Sequence, residues 1–106
     1  MITISNKTIH ITTEQKPTYF SLPNDQIGQP EMFLNTFEEF GVECALMSDS
    51  DFDNAGLTIP TFETESKSKL NRKYYRTNIA LQDLRDLYYN YSADLEEGKI
   101  ENVVLN

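Results

Sequence analysis

The N-terminal part of the chain alternates apolar and polar side chains in short runs. Ile2 and Ile4 alternate with polar neighbours, a polar turn follows at residues 5–8, and Ile9 and Ile11 resume the pattern. Because alternate side chains of a strand share one face, this pattern predicts a β-hairpin. Residues 18–22 (TYFSL) predict a third strand, which ends at a Pro-Asn-Asp sequence.

The next segment changes to a helical spacing. Pro30 suits a first helical turn, and Phe33, Phe37 and Phe40 follow it at spacings of four and three residues. These positions predict a helix with an apolar face, and Gly41 is a natural stop for it.

The region after Gly41 predicts a strand, a loop and a further strand. Residues 42–46 alternate again, whereas residues 48–56 (SDSDFDNAG) have the composition of a loop. Leu57, Ile59 and Phe62 predict an edge strand, because Pro60 cannot donate a hydrogen bond within a central strand.

The last third of the chain has the strongest helical pattern. Thr77 or Asn78 is expected to cap the start of a long helix, and Gly98 its end. Residues 100–105 predict a short strand or a docked tail. The apolar positions of this helix recur at spacings of three and four and are Leu81, Leu84, Tyr88, Tyr91 and Leu95.

Strands followed by segregated helices predict an α+β fold. We expect one domain over residues 1–106, with a small antiparallel β-sheet of three to five strands and two helices packed on one face. With 39% hydrophobic residues, six Phe and six Tyr, the chain is too apolar for a disordered tail.

The charge balance limits the classes of partner. The formal net charge is −8, which opposes non-specific binding to nucleic acid and to anionic membranes. The first residues lack a signal-peptide pattern, no apolar run approaches ~20 residues, and Cys44 is the single cysteine. We therefore expect a protein of the reducing cytoplasm of a host cell, without a membrane partner.

Residues for catalysis or cofactor binding are scarce. His10 is the single histidine and lies among isoleucines and threonines, and Cys44 alternates with apolar residues as a core residue would. A calcium loop that starts at Asp49 lacks the Gly and Glu that the EF-hand needs at its sixth and twelfth positions. One that starts at Asp51 has Gly56 in place but fails at its fifth position, Ala55, and its twelfth, Phe62. The acidic segment is then interpreted as an adventitious cation site, a solvated turn or a partner-facing loop. The sequence predicts no enzyme, no cofactor and no metal site.

Acidic residues follow two patterns. Between Lys16 and Lys67 there is no Lys, Arg or His, although many carboxylates lie there. On the predicted last helix, a second set recurs at helical spacing over roughly 21 Å. Its neighbours are roughly 5–6 Å apart, near the scale of phosphates along a nucleic-acid strand. This row, completed by Asn90, consists of Asp83, Asp86, Asp94 and Glu97.

One short segment opposes the acidic trend and contains Tyr74 and Tyr75. Basic residues among aromatics can bind single-stranded nucleic acid. Two other interpretations are a loop or strand that partly neutralises the acidic surface, and a basic segment that pairs with the acidic face of a second copy in a homodimer. The basic residues of this secondary site are Lys67, Lys69, Arg72, Lys73 and Arg76.

Parts of the chain resemble the ArdA antirestriction proteins. In that family an aromatic-rich strand ends in Leu-Pro before a helix, as at Leu22 and Pro23. A strand then enters an acidic segment, as at residues 43–53, and a Leu-rich helix follows, as at residues 78–87. The resemblance spans at most residues 1–90; the family's members are longer, without an evident counterpart of the basic segment. It implies a protein of a phage or mobile element that mimics DNA. Small anti-CRISPR proteins are similar in size and charge.

We therefore expect a non-enzymatic inhibitor that blocks the nucleic-acid-binding groove of a host defence nuclease. The alternatives are an immunity or antitoxin-like protein against a basic toxin nuclease, a nucleic-acid-binding accessory protein that uses the basic segment, and a structural subunit of a phage particle. The partner-binding residues that we expect are Asp83, Asp86, Asp94, Glu97, Glu38, Glu39, Asp49, Asp51 and Asp53.

Overall fold

A computed structural model describes residues 1–23, 30–56, 58–63 and 71–106, without the side chains of residues 30–32. The chain begins with the hairpin that the sequence predicts. Strands β1 (Ile2–Ser5) and β2 (Thr8–Ile11) are antiparallel, with Ile2 opposite Ile11. Asn6 and Lys7 form the turn with φ of 47° and 60°. Positive φ at both turn residues matches the right-handed twist of a two-residue hairpin.

The C-terminal segment completes this first sheet. Strand β6 (Asn102–Leu105) pairs with β2, so the order is β1-β2-β6. The β2–β6 pairing is parallel. The predicted short strand at residues 100–105 is confirmed, but its direction makes this sheet mixed rather than antiparallel.

The second sheet is antiparallel and has the order β3-β5-β4. It consists of β3 (Thr13–Pro23), β4 (Cys44–Leu46) and β5 (Arg72–Ile79). The third and fourth strands of the sequence prediction are confirmed, and β3 is longer than expected. The described part of the basic segment lies in the central strand of the sheet, so its backbone pairs on both sides.

The two faces of the second sheet differ in polarity. On the inner face, Phe20 lies opposite Tyr75, and both are buried. On the outer face, Arg76 lies opposite Tyr19 in one neighbouring strand and Ala45 in the other. Alternate side chains of a strand point to opposite faces, so β5 presents Tyr75 and Ile79 to the core and its arginines outward.

Helix α1 (Pro30–Glu39) confirms the prediction made from the phenylalanine spacing. Phe37 is buried, Phe33 and Phe40 pack beside it, and Gly41 follows with φ of 96°, a left-handed conformation that favours glycine.

The predicted loop at residues 48–56 is wrong, because helix α2 (Asp49–Ala55) occupies this segment. Ser48 caps the helix: its hydroxyl accepts from the Asp51 backbone N–H, and the Asp51 carboxylate accepts from the Ser48 backbone N–H. This capping box satisfies two backbone donors that a helix start otherwise leaves unpaired. Local capping therefore outweighs the loop-like composition.

The predicted long C-terminal helix is interrupted. It consists of α3 (Leu81–Asp86), a π-helical turn (Leu87–Tyr91) and α4 (Ser92–Glu96). Neither Thr77 nor Asn78 caps it; both belong to β5, and Ala80 is the residue before α3. Gly98 follows the end of α4 with φ of 76°, as predicted.

Residues 58–63 run along β3 without forming the predicted edge strand. Thr61 makes an isolated parallel bridge to Ser21, and Phe62 enters the core with 2% of its surface exposed. Leu57 lies outside the described residues. The buried apolar core comes from both sheets, α1, this segment and the C-terminal helices, and includes Ile9, Ile11, Phe20, Leu34, Phe37, Phe62, Ile79, Leu84, Leu87 and Ile100.

The predicted α+β class is confirmed, with two three-stranded sheets in place of one sheet. The predicted helices α1 and α3 pack on the core side, where Phe33 of α1 meets Tyr88 with a ring-centroid distance of 5.3 Å. The unpredicted helix α2 packs on the outer face of the second sheet, where Phe52 meets Tyr74.

Replacing Thr77 with valine is expected to raise the free energy of unfolding by about 1 kcal/mol. Thr77 is fully buried, and among the described residues no group bonds its hydroxyl. Valine has nearly the same shape and removes the desolvation cost of that hydroxyl. Urea unfolding measures the change. The matched control is Thr13→Val, which deletes a hydroxyl that donates to the Asn106 carbonyl at 2.9 Å and is therefore expected to be neutral or destabilising. Destabilisation by Thr77→Val would contradict the prediction.

Candidate acidic interface

The outer face of the second sheet is organised by one arginine of the central strand. Arg76 donates from Nε to Glu43 Oε1 at 2.6 Å and from a terminal nitrogen to Asp51 Oδ2 at 3.2 Å. The Glu43 hydrogen bond is the largest cause that raises the pKa of Arg76 above its ordinary value. One guanidinium thus joins α2 to the residue that precedes β4.

Asp51 is the group that fixes α2 to the sheet. It is 5% exposed, accepts from the Ser48 backbone N–H at 2.9 Å and receives Arg76 from the other side. The Tyr19 hydroxyl also lies 3.5 Å from Asp51 Oδ1. The Ser48 backbone hydrogen bond is the largest cause that lowers the pKa of Asp51; burial opposes it, and the Ser48 hydroxyl and Arg76 add to the lowering.

Two further arginines are also used within the fold. Arg72 donates from Nε to Ser21 Oγ at 2.7 Å and pairs with Glu63. Arg85 donates to the carbonyl oxygens of Phe62 at 2.7 Å and Thr61 at 2.8 Å. The guanidinium groups therefore satisfy internal acceptors and hold residues 58–63 on the fold.

This use of the arginines leaves exposed carboxylates without a basic partner in the described part of the chain. In contrast, Glu97 pairs with Lys99 at 3.2 Å and Glu101 with Lys7 at 3.7 Å. The exposed carboxylates with no such pair among the described residues are Glu14, Glu38, Glu39, Asp49, Asp53 and Glu96.

Four of these carboxylates lie on α1 and α2, the two helices that flank β4 in sequence. Burial raises the pKa of the Cys44 thiol to about 12, and Glu38 and Glu43 contribute to this shift, so the end of α1 lies near the start of β4. Glu43 and Asp51 then share Arg76, which brings α2 beside them. We call the exposed carboxylates of these two helices the α1–α2 acidic surface, defined by Glu38, Glu39, Asp49 and Asp53.

The acidic row predicted on the C-terminal helix does not form a continuous outer face, so this prediction is wrong. Asp83 is 6% exposed and accepts from the Met1 amine at 2.6 Å. Asp86 is half-buried and accepts from Gln82 at 3.2 Å. The π-helical turn adds one residue, which rotates the following side chains by about 100°. Asp94 is half-buried and Glu97 is exposed, on the far side of this turn.

The structure thus divides the residues expected from the sequence. It leaves Glu38, Glu39, Asp49 and Asp53 exposed, whereas it buries Asp51 and Asp83. Of the basic segment, Lys67 and Lys69 lie outside the described residues, and Lys73 is exposed. Arg72 and Arg76 bond internal acceptors.

Sequence reasoning missed two residues beside this surface, Phe52 on α2 and Glu43, which pairs with Arg76. Phe52 is 42% exposed on α2, although a helix usually turns a phenylalanine inward. The signal that could have revealed the helix was present, because Ser48 followed by an acidic residue three positions later is the pattern of a capping box.

Other candidate chemistry is limited in the described residues. His10 is half-buried on β2, with Nε2 at 3.5 Å from Ser5 Oγ. Within residues 1–23, 30–56, 58–63 and 71–106, no group of three or more His, Cys, Asp or Glu is arranged to hold a metal ion. In the same ranges no helix is long and apolar enough to span a membrane.

The acidic surface therefore consists of carboxylates that no described cation neutralises, held on α1 and α2. Its geometry suits electrostatic association with a basic partner, because fixed charges of one sign attract an oppositely charged surface at long range. No protein-family model matches the chain, and the comparisons with curated proteins and with solved structures found no match.

Proposed function

We propose that this protein is a non-enzymatic inhibitor that binds the nucleic-acid-binding groove of a host defence or DNA-processing protein. The proposal rests on the difference between the positively and the negatively charged side chains. Arg72, Arg76 and Arg85 bond acceptors within the fold, whereas the carboxylates of the α1–α2 acidic surface are exposed. The protein therefore presents fixed negative charge, as a nucleic-acid backbone does.

The spacing of the carboxylates supports the same proposal. Asp49 and Asp53 lie four residues apart on α2, so their side chains are neighbours about 5–6 Å apart on one face. Glu38 and Glu39 are adjacent at the end of α1. A groove that binds phosphates with Arg and Lys could pair with such a surface, with fast association that weakens as salt rises.

Direct binding of nucleic acid through the basic segment is the less favoured alternative. Arg72 already bonds Ser21 and Glu63, and Arg76 already bonds two carboxylates. Both guanidinium groups would have to leave these acceptors to contact phosphates. An immunity or antitoxin-like role would use the same acidic surface and differs in the identity of the partner.

Neutralising the acidic surface is expected to weaken partner binding by about tenfold or more, since four exposed ion pairs are lost. The variant is Glu38→Gln/Glu39→Gln/Asp49→Asn/Asp53→Asn. The protein serves as bait in a lysate of the source cell, and each retained protein is then purified and titrated at about 0.05 to 0.5 M salt. The matched control, Glu14→Gln/Glu96→Gln/Glu97→Gln/Glu101→Gln, removes the same charge elsewhere and should bind as the wild type does.

Competition with nucleic acid completes the test. An inhibitor of a nucleic-acid groove should be displaced from its purified partner by duplex DNA or RNA that the partner binds. Binding that neither salt nor nucleic acid weakens, or that the control variant weakens equally, would contradict the proposed function.

A further inference from the structure

The outer face of the second sheet carries an open cleft of about 560 Å³ beside α2. Phe52 and Tyr74 form an aromatic wall, with ring centroids 5.4 Å apart at an angle of 70°. Ile59, Ser21 and Arg72 also line the cleft. We call this feature the Phe52 cleft. Its walls are largely apolar, although it lies on a strongly acidic protein.

The helix beside the cleft combines this apolar wall with charge. Asp51 and Ala55 face the sheet, whereas Asp49 and Asp53 are exposed one turn apart. Phe52 is three residues after Asp49, so these two side chains are neighbours on the helix surface, and Asp53 lies one turn beyond Asp49. The apolar opening therefore lies beside Asp49, and Asp53 follows Asp49 along the exposed side of the helix.

We propose that the Phe52 cleft receives one apolar side chain of a basic protein partner, whose flanking Arg or Lys residues pair with Asp49 and Asp53. This inference rests on the proposed function and names the recognition element within the acidic surface. Well-packed aromatic contacts surrounded by polar groups dominate the energetics of many protein interfaces. Charge then directs the encounter, and the cleft selects the side chain.

Charge complementarity favours a basic protein segment over the other occupants. A nucleic acid would bring its phosphates towards Asp49 and Asp53, and a second copy of this chain would bring a net charge of −8. Arg72 does not reverse this preference, because Glu63 and Ser21 already accept its hydrogen bonds. A segment with Arg or Lys beside an apolar residue satisfies both parts of the site.

The test uses the full-length protein and the peptide Arg-Arg-Trp-Arg-Arg. The protein contains no tryptophan, so tryptophan fluorescence reports on the peptide alone. We expect a blue shift on binding, together with NMR shift changes at Phe52, Ile59 and Tyr74. A peptide with glycine in place of tryptophan should bind at least about tenfold more weakly, because it buries no apolar side chain.

Two kinds of variant separate the apolar and charged contributions. Phe52→Ala should lower the affinity for the tryptophan peptide by about tenfold and leave the salt dependence of binding unchanged. Asp49→Asn/Asp53→Asn should weaken binding at low salt, with a difference from wild type that shrinks as salt rises. The controls are Leu46→Ala, which removes a 65% exposed apolar side chain outside the cleft, and Glu96→Gln/Glu97→Gln.

A second cleft variant guards against a folding defect in Phe52→Ala. Thr58 is exposed and lines the cleft, so Thr58→Lys places a positive charge there without deleting any part of the aromatic wall. It should repel the arginine peptide, and circular dichroism should show the wild-type fold.

The outcomes separate this inference from the proposed function. Absence of binding at low salt, or equal binding by wild type, Phe52→Ala and Thr58→Lys, would overturn the cleft inference. If the acidic-surface variant still lost its partner, the proposed function would stand. Binding of a thymidine oligonucleotide to the cleft with shift changes at Phe52 and Tyr74 would overturn both.

Discussion

Replacing Phe62 with alanine is expected to lower the free energy of unfolding by about 3–5 kcal/mol. Phe62 is 2% exposed, and its ring lies 5.9 Å from Phe20 and 5.6 Å from Tyr88 between ring centroids. Its backbone N–H donates to the Ser21 carbonyl at 2.9 Å, and its carbonyl accepts from Arg85. Because the backbone is held on both sides, the surrounding residues cannot collapse fully into the cavity that alanine leaves.

Urea unfolding followed by circular dichroism measures this effect. Leu46→Ala is the matched control, because Leu46 is 65% exposed and its loss should change the stability by no more than about 0.5 kcal/mol. A loss below about 1 kcal/mol for Phe62→Ala would contradict the placement of residues 58–63 against the core.

Replacing Asp51 with alanine is expected to detach α2 from the sheet. The change removes the carboxylate half of the capping box and one of the two carboxylates that Arg76 bonds. It also leaves the Ser48 backbone N–H without its bond to Asp51. Thermal unfolding should show a lower midpoint, and amide hydrogen exchange should become faster in residues 49–55. Asp53→Ala, two residues later on the exposed side of the same helix, is the control and should change neither.

The effect of Asp51 should depend on pH in one direction. Its pKa is lower in the folded protein than the ordinary value of 3.8, chiefly because the Ser48 backbone N–H bonds the ionised form. A lowered pKa stabilises the folded state at pH values above 3.8. This contribution is lost as the pH falls through the folded-state pKa. The difference in free energy of unfolding between wild type and Asp51→Ala should therefore be largest near neutral pH and shrink in acid. A difference that stays constant with pH would contradict this prediction.

The sequence predicted those elements whose own side chains specify them. The isoleucine alternation specified the hairpin, and the phenylalanine spacing specified α1, because both patterns match the geometry of a single element. Helix α2 was missed because its residues are polar and acidic. Its stability comes from Ser48 and from Arg76, which lies 25 residues away in sequence from Asp51. A contact between residues so far apart in the chain leaves no local pattern in the sequence.

The candidate interface was predicted in part for the same reason. The lack of cations between Lys16 and Lys67 predicts an acidic region, within which Glu38 and Asp53 are exposed. Whether a carboxylate faces solvent or bonds an internal group depends on distant residues, as Asp51 and Asp83 demonstrate. The helical row failed because a π-helical turn changes the spacing without changing the apolar pattern enough to reveal it.

The central position of β5 also determines when the acidic surface can form. Strands β3 and β4 both pair with β5, and neither pairs with the other. During synthesis, Glu43 and Asp51 therefore leave the ribosome well before Arg76, their shared counter-ion. The second sheet must wait for a strand that is distant in sequence, and such long-range pairing slows folding. The nascent chain thus carries its acidic segment unneutralised until β5 is inserted, which makes assembly of this surface a late event in folding.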